Sequence, residues 1–441
     1  MSETTGPVGF IGLGAMGFGM ATHLVKEGYK VTGFDVWAPT LDRFKQAGGD
    51  CATTPAEAAQ DKEYCVCMVA TAQQAQDALL AGPNPAVPAL AHGAVLLLCS
   101  TVSCGYVQGL AKQIADRGRP DIQLIDCPVS GGAIRAGNGT LSIMAGASDK
   151  AIDKGRQLLQ AMSDPKSLYI VGGGIGAGSN MKMVHQVLAS NQILSASEVM
   201  GFASHLGLDL PTAGEALVES DGWSWMLQNR LPRILHPEHQ PNVSATTIIL
   251  KDTNIITSEA RRYGFPTPMT STAEQVYFSG LGRGFGPDDD GGMIRVYTEG
   301  KGRVGPVVGT ADTGEAKLKL ATALLKGIHL CSAIECLAFS HKVGLDLDQV
   351  LELCINAAGG STMFKRFGPD IIRVLRGEKP TTGGLVLVAH ELQEAVDEAH
   401  RRKVPLFLGT QTLSILRLAL VHGPGAGIDI PPAMAVRVWL G

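Results

Sequence analysis

The sequence has little of several features that mark other classes of protein. Lys and Arg number 37 against 41 Asp and Glu, giving a net charge of −4, and no basic cluster is present, which argues against a nucleic-acid partner. Charged residues make up 18% and hydrophobic residues 45%, which argues against disorder and predicts large buried cores. The most apolar run, Ala94–Leu98, is too short to cross a bilayer, so we expect no membrane partner.

The cysteine pattern and the N-terminus also lack the signals of a metal site, a disulfide framework or a secreted protein. Nine cysteines are scattered without a CxxC pair or the Cys/His spacing of a metal site, so we expect reduced thiols and no bound metal. The N-terminus lacks the basic and apolar regions of a secretory signal, so we expect none. These features together predict a cytoplasmic protein.

What is present begins with a glycine-rich turn between a strand and a helix. The strand Val8–Ile11 precedes Gly12-Leu13-Gly14-Ala15-Met16-Gly17, a helical pattern follows from Met20 to Val25, and a second strand, Lys30–Phe34, leads to Asp35. In this context the first glycine allows the tight turn, the second lets the backbone approach a pyrophosphate, and the third lets helix and strand pack closely. The sequence therefore predicts a dinucleotide bound at Gly12, Leu13, Gly14, Ala15, Met16 and Gly17.

Asp35 distinguishes between the two nicotinamide dinucleotides. A carboxylate at the end of the second strand accepts hydrogen bonds from the adenosine ribose hydroxyls and repels a 2′-phosphate. No Arg immediately follows Asp35. The sequence therefore predicts NAD in preference to NADP.

Apolar runs alternate with helical stretches over the first 170 residues. This alternation indicates a mostly parallel, doubly wound sheet with helices on both faces. The further strand candidates are Tyr64–Val69, Ala94–Cys99, Gln123–Asp126 and Ser142–Ala145. Because ligands on such sheets bind outside the carboxyl ends of the strands, we predict that Val69, Ala70 and Thr101 contact the cofactor.

A serine and two glycines follow the strand that ends at Asp126. In Pro128-Val129-Ser130-Gly131-Gly132, the glycines leave backbone N–H groups uncovered and the Ser130 hydroxyl adds a further hydrogen bond. This pattern predicts a carboxylate site at Ser130, Gly131 and Gly132. A purely structural turn is the alternative.

A second glycine-rich loop, Gly172–Gly178, opens a helix predicted over Ser179–His205. Lys182, His185 and Gln186 share one face of that helix. Because partial burial lowers the pKa of a lysine, Lys182 is a candidate general acid/base, with an ordinary surface lysine as the alternative. His185 has two interpretations: it orients the substrate, or it is a histidine of the core. Lys251 is a second cation that is predicted to contact the cofactor or the substrate.

These motifs together resemble the β-hydroxyacid dehydrogenase family, which contains 3-hydroxyisobutyrate dehydrogenase and tartronate semialdehyde reductase. The resemblance runs from Val8 to Tyr297 and adds three segments to the glycine turn and the serine loop: Gly139-Thr140-Leu141, Gly176-x-Gly178-x-x-x-Lys182 and Lys251-Asp252. Most members have Asn where this chain has His185, and that variant resembles the L-threonate dehydrogenase branch.

The resemblance implies roles for the candidate residues. Ser130, Gly131 and Gly132 would bind the substrate carboxylate, and Lys182 would take the hydroxyl proton as hydride leaves for the nicotinamide. His185 would orient the hydroxyl or share proton transfer, with Gln186 beside it in a polar substrate pocket. Lys251 would lie near nicotinamide and substrate.

The family ends near residue 300, whereas this chain continues with a linker, Gly300–Pro306, and a second helical region. Glu198–Leu210 returns as Glu335–Leu347, 137 residues later. At the same spacing Lys182 aligns with Lys319, but His185 and Gln186 align with Thr322 and Ala323, and no second glycine turn precedes the copy. We therefore expect a degenerate copy that keeps the fold signals and loses most of the site.

The predicted architecture is an α/β Rossmann domain followed by two tandem all-α domains. We expect the NAD-binding domain at 1–175, a helical substrate domain at 176–300, and the degenerate copy at 310–441. The copy would serve as an intrachain partner, in a monomer or a homodimer.

The predicted activity is NAD-dependent oxidation of a small 2- or 3-hydroxy acid, either an aldonate such as L-threonate or an acid like 3-hydroxyisobutyrate. One alternative is an NADPH-dependent reductase of a small aldehyde acid or imine. An alternative from another class is a non-catalytic nucleotide-binding scaffold, against which the presence of Lys182 and the Ser130–Gly132 loop argues.

Overall fold

The computed structural model describes residues 6–299, 314–381, 383–422 and 429–440. These residues form two compact units, of which the first ends at Lys182 and also includes Gly344–Asp346. The division falls inside the helix Ala177–Leu206, a few residues beyond the predicted boundary at 175. The predicted linker Gly300–Pro306 lies outside the described residues.

Six parallel strands form the main sheet in the described part of the first unit. They are β1 (Val8–Ile11), β2 (Val31–Phe34), β3 (Asp50–Cys51), β4 (Tyr64–Cys67), β5 (Val95–Leu98) and β6 (Gln123–Asp126), in the spatial order β3-β2-β1-β4-β5-β6. The chain moves outward from β1 first on one side and then on the other, so the order reverses between β1 and β4. Ligands of such sheets bind at this point, outside the carboxyl ends of the strands.

Both faces of this sheet are buried under helices. Val8 and Phe10 of β1 belong to one apolar core, whereas Ile11 and Leu96 belong to the other. The helices of this unit, besides the start of the helix at Ala177, are α1 (Gly17–Lys26), α2 (Ala38–Gln46), α3 (Pro55–Ala59), α4 (Ala72–Gln76), α5 (Cys104–Asp116), α6 (Gly132–Gly137), which packs on α1, and α7 (Asp149–Met162). The predicted doubly wound, Rossmann-like sheet is therefore confirmed.

A second, smaller sheet differs from the prediction. The strand predicted at Ser142–Ala145 is β8 (Leu141–Ala145), which pairs antiparallel with β7 (Val129–Ser130) and parallel with β9 (Ser163–Ile170) instead of joining the main sheet. The end of β6 and all of β7 face the same stretch of chain in one antiparallel register, with Asp126 opposite Gly146, Val129 opposite Ile143 and Ser130 opposite Ser142. Strand β7 is an edge strand of the small sheet, so Ser130 lies at that edge.

The second unit is helical. Its first half, residues 183–299, consists of the remainder of α8 (Ala177–Leu206) and of α9 (Leu210–Val218), α10 (Trp225–Leu235), α11 (Thr246–Tyr263), α12 (Pro268–Gly282) and α13 (Arg295–Thr298). Its second half, residues 314–343 and 347–440, consists of α14 (Gly314–Lys342), α15 (Leu347–Asn356), α16 (Thr362–Leu375), α17 (Leu385–Arg401), α18 (Phe407–Val421) and α19 (Arg437–Leu440). We call these the N-terminal and C-terminal helical halves.

The two halves contact each other reciprocally. The Trp225 N–H donates to the Gly360 carbonyl at 2.8 Å, and the Thr362 N–H donates to the Trp223 carbonyl at 3.1 Å. Each residue of the first bond has its counterpart in the second bond 137 residues away. Such mutual contacts are the property of a two-fold interface, in which each side offers the same surface to the other.

Two buried glutamates repeat this reciprocity. Glu198 accepts hydrogen bonds from the backbone N–H groups of Leu408 and Gly409, at the start of α18. Glu335 accepts from those of Met269 and Thr270, at the start of α12. Each half therefore supplies the acceptor that satisfies exposed donors at a helix start in the other half.

Helix α14 is long and apolar enough to cross a membrane by length and composition, with 83% of its most apolar window buried inside the protein. Burial on all sides is the property of a central core helix.

Candidate active site

The glycine turn fits a pyrophosphate. Gly12 has a φ of +93°, and a Cβ there would lie 2.4 Å from the Met68 carbonyl oxygen. A Cβ on Gly17 would lie 1.9 Å from the Gly12 oxygen, so both positions exclude a side chain. Gly14 is exposed, with nothing within 4 Å of a Cβ position, which leaves its backbone open to a ligand.

Asp35 is tied to this turn. It follows β2, and its Oδ2 accepts a hydrogen bond from the Leu13 N–H at 2.7 Å while Oδ1 accepts from the Trp37 N–H at 2.9 Å. A carboxylate oxygen has two lone pairs, so each oxygen keeps capacity for a ribose hydroxyl. The half-buried Asp35 therefore stands beside the predicted dinucleotide site and presents negative charge there.

The other predicted cofactor contacts lie after β4 and β5, at the same edge of the sheet. The Val69 N–H donates to the Ser100 hydroxyl at 2.9 Å, and the Ala70 N–H donates to the Gln74 Oε1 at 3.0 Å. Thr101 directly follows Ser100. Because the N–H groups of Val69 and Ala70 donate hydrogen bonds within the protein, the predicted contacts with the cofactor would be made by other atoms of these residues.

The predicted carboxylate site forms an exposed turn. Ser130 pairs with Ser142 of β8, and Gly131 and Gly132 follow with φ values of +136° and +73°. Nothing lies within 4 Å of a Cβ position at Gly132. These conformations favour glycine. Arg135 lies against Gly131, where a Cβ would be 2.9 Å from its Cδ, so Gly132 is the open position of the turn.

A buried aspartate connects the strand before this turn to the helix that carries Lys182. Asp126 ends β6 and accepts hydrogen bonds from both the backbone N–H and the hydroxyl of Ser179, at 2.6 and 2.7 Å. Burial raises the pKa of Asp126 to about 7, and the hydrogen bonds from Ser179 oppose that rise. Lys182 lies three residues after Ser179 and is itself buried.

Asp126 thus satisfies donors in the first turn of α8. A carboxylate is favourable at that position because the first N–H groups of a helix lack partners and carry partial positive charge. Sequence reasoning gave Asp126 no role, and its place two residues before Pro128, at the end of a predicted strand, was the available signal.

The remaining predicted residues lie in the second unit, where four side chains form a chain of contacts. His185 Nδ1 lies 3.0 Å from Gln186 Oε1, Gln186 Nε2 donates to Asp252 Oδ2 at 2.5 Å, and Lys251 Nζ lies 3.3 Å from Asp252 Oδ1. His185 and Asp252 are buried. The structure therefore connects His185, Gln186 and Lys251 through Asp252, to which sequence reasoning gave no separate role.

The aligned positions in the C-terminal helical half form no such chain within the described residues. Lys319, Thr322 and Ala323 lie on α14, and Lys319 is exposed whereas Lys182 is buried. The described residues also contain no group of three or more His, Cys, Asp or Glu side chains placed to hold a metal ion.

Two family models match the chain. The NAD binding domain of 6-phosphogluconate dehydrogenase matches residues 7–173. The model described as NAD-binding of NADP-dependent 3-hydroxyisobutyrate dehydrogenase matches residues 176–297 and 314–430. Together the matches extend over most of the chain and bear out the predicted family and its nicotinamide dinucleotide cofactor.

Individual proteins give the same result. The L-threonate dehydrogenase of Cupriavidus necator is 34% identical over 66% of this chain and 95% of its own length. The 3-hydroxyisobutyrate dehydrogenase structure from Salmonella typhimurium is 29% identical, covers 66% of this chain and 99% of its own, and has a TM-score of 0.60. The Plasmodium falciparum 6-phosphogluconate dehydrogenase, at 15% identity and a TM-score of 0.68, shares the fold over 95% of this chain and 93% of its own.

Proposed function

Because the chain belongs to the 3-hydroxyisobutyrate dehydrogenase family of hydroxyacid dehydrogenases, we propose that it oxidises a small 2- or 3-hydroxy acid with NAD, with Lys182 as general acid/base. The observation that carries this proposal is the Asp126–Ser179 link. It joins the strand before the Ser130–Gly132 turn to the start of the helix on which Lys182 lies one turn further. Substrate binding and proton transfer are thereby supported by one rigid connection.

Each side chain then has a stated task. Ser130, Gly131 and Gly132 bind the substrate carboxylate through the hydroxyl and the backbone N–H groups. Lys182 holds the proton that leaves the substrate hydroxyl, and His185 orients that hydroxyl. When bound along the Gly12–Gly17 turn, the nicotinamide dinucleotide supplies the hydride acceptor.

The proposed substrate is an aldonate such as L-threonate or an acid like 3-hydroxyisobutyrate. The names of the relatives support both classes. Buried His185 supports a polyhydroxylated acid, because a buried imidazole favours a ligand that hydrogen-bonds to it. Gln186 already bonds to His185 and Asp252, so its proposed role is to support His185 in the substrate pocket.

NAD is the proposed cofactor in preference to NADP. The support is Asp35, whose carboxylate lies against the glycine turn through Leu13 and would repel a 2′-phosphate. We also propose a cytoplasmic location, which the nine free cysteines support.

We further propose that the C-terminal helical half is a degenerate repeat that acts as an intrachain partner, in a monomer or a homodimer. The reciprocal bonds of Trp225 with Gly360 and of Thr362 with Trp223 support it, as does the match of one family model to both halves. Lys319 would then be a remnant without a catalytic task.

A pair of aligned lysines tests the proposed chemistry. The purified protein is assayed against a panel of small hydroxy acids with NAD, and NADH formation is followed by absorbance. Loss of a general acid/base costs about 100-fold or more in rate, so Lys182→Ala should abolish most turnover, whereas Lys319→Ala should change it little. Near-normal turnover in Lys182→Ala would refute the acid/base role, and a large loss in folded Lys319→Ala would refute the remnant.

A further inference from the structure

We propose that Asp252, acting through Gln186, fixes the tautomer of His185 so that Nε2 is the hydrogen-bond acceptor of the ring. Asp252 and Gln186 are then positioning residues, and Lys251 anchors their arrangement. The inference rests on the proposed function for its catalytic meaning, because an acceptor at Nε2 is what a substrate hydroxyl needs in order to donate its hydrogen.

The first step is the orientation of the Gln186 amide. A carboxylate accepts hydrogen bonds and does not donate them, so at 2.5 Å from Asp252 Oδ2 the group that fits is the amide NH2. The opposite orientation would place two acceptor oxygens against each other. Asp252 therefore determines which end of the amide faces His185.

The second step is the proton on the imidazole. The Gln186 oxygen, which cannot donate, lies 3.0 Å from His185 Nδ1, so Nδ1 carries the hydrogen. A neutral imidazole has one N–H, and Nε2 therefore holds the lone pair. His185 and Asp252 are 1% and 6% exposed, so bulk water does not compete for these bonds.

Lys251 makes the effect of one substitution definite. In the native protein, Asp252 Oδ1 lies 3.3 Å from Lys251 Nζ. In Asp252→Asn, the amide oxygen should take the position of Oδ1, because an ammonium group only donates hydrogen bonds. The new NH2 group would then face Gln186 and require its amide to turn. Turned Gln186 would present its own NH2 to Nδ1 and select the tautomer with hydrogen on Nε2, which cannot accept from a hydroxyl.

The test reads the tautomer directly and needs no substrate. Protein labelled with 15N in histidine is studied by NMR at alkaline pH, where imidazoles are neutral, and the His185 signals are identified by their loss in His185→Gln. We expect a protonated Nδ1 in the native protein and a protonated Nε2 in Asp252→Asn. A protonated Nε2 in the native protein, or an unchanged tautomer in the folded variant, would overturn the proposal.

Two further variants complete the design. Thr257→Val, on the same helix α11, removes the buried Thr257–Glu274 hydrogen bond of 2.8 Å and should leave the His185 tautomer unchanged. A changed tautomer in Thr257→Val would show that loss of any buried hydrogen bond on α11 is enough to change the tautomer, and would overturn the proposal. If Asp252→Asn does not fold, Gln186→Leu removes the same constraint, and we expect loss of the uniform Nδ1–H state; retention of that state would count against the proposal.

Kinetics with an active hydroxy acid give the second readout. Asp252→Asn should lower kcat by about 10- to 100-fold with a smaller change in KM, since the change affects proton placement more than binding. A switched tautomer with unchanged kcat would leave the geometry intact but remove His185 from the proposed chemistry. The failure of the proposed function and the failure of this inference are thereby distinguished.

Discussion

A glycine in the C-terminal helical half packs against the proposed active site, and an aligned glycine provides its control. A Cβ on Gly359 would lie 3.1 Å from Leu188 Cδ1 and 3.4 Å from His185 Cδ2. A Cβ on Gly222, 137 residues earlier, would lie 3.1 Å from Leu325, the residue aligned with Leu188. Alanine at either position therefore crowds the aligned leucine, but only in Gly359→Ala does the added methyl group also touch a proposed catalytic side chain, His185.

The expected magnitude follows from those distances. The 3.1 Å contacts require Leu188 or Leu325 to move by a few tenths of an ångström, and overpacking of a core costs about 1–3 kcal/mol. Replacing glycine by alanine returns about 0.4–1 kcal/mol by restricting the unfolded chain. We therefore expect both variants to lose about 0–2.6 kcal/mol of stability. Leu188 lies one helical turn from His185 on α8, so we expect its displacement to shift His185 as well. Because a 1 Å misplacement of a catalytic group costs on the order of 100-fold, a shift of His185 by tenths of an ångström should cost about 10-fold in kcat in Gly359→Ala.

Paired measurement of melting temperature and kinetics decides between position and stability. We expect similar small changes in melting temperature for Gly359→Ala and Gly222→Ala, with a loss of kcat in the first and near-native kcat in the second. Equal loss of activity in both variants would mean that general destabilisation is responsible. Native kcat in a crowded Gly359→Ala would refute a role for this contact in placing His185.

Two further predictions concern pH and cofactor. Burial raises the pKa of Glu198 and of Glu335 to about 7, above the unfolded value, so the folded state binds these protons more tightly than the unfolded state. The melting temperature should therefore fall as pH rises from about 5 to 8, and Glu335→Gln should make that fall smaller. An unchanged pH dependence in Glu335→Gln would contradict a raised pKa for Glu335. Calorimetric titration should find NAD bound more tightly than NADP, at one site per chain for the single Gly12–Gly17 turn; two sites, or a preference for NADP, would contradict the interpretation of the turn and of Asp35.

Features determined by neighbouring residues could be predicted from the sequence. The turn from Gly12 to Gly17 lies between β1 and α1 as expected, because its glycines, the preceding strand and the following helix are adjacent in the chain. The helix predicted over Ser179–His205 is α8, with ends one or two residues further out. Strand β9 was missed because Pro165 and Lys166 interrupt any apolar alternation, a pattern that an edge strand tolerates.

Contacts between distant residues could not be predicted in this way. Asp126 and Ser179 are 53 residues apart, and Gln186 and Asp252 are 66 residues apart. Each aspartate stood close to a residue with an evident chemical use: Asp126 four residues before Ser130, and Asp252 directly after Lys251. The partner of each carboxylate is set by the tertiary fold, so its supporting role becomes visible with the structure.

The helical unit combines a symmetric scaffold with asymmetric chemistry, and this combination supports an intrachain partner. Glu198 and Glu335 each satisfy backbone donors in the opposite half, so loss of either would leave buried N–H groups unpaired, at a cost of about 1–3 kcal/mol each. That cost maintains both glutamates whatever the second half does in catalysis. No comparable loss of stability follows when the residues aligned with His185 and Gln186 change, and the C-terminal helical half has Thr322 and Ala323 at those positions. A half retained for its packing would keep the first kind of residue and lose the second, which is the pattern observed.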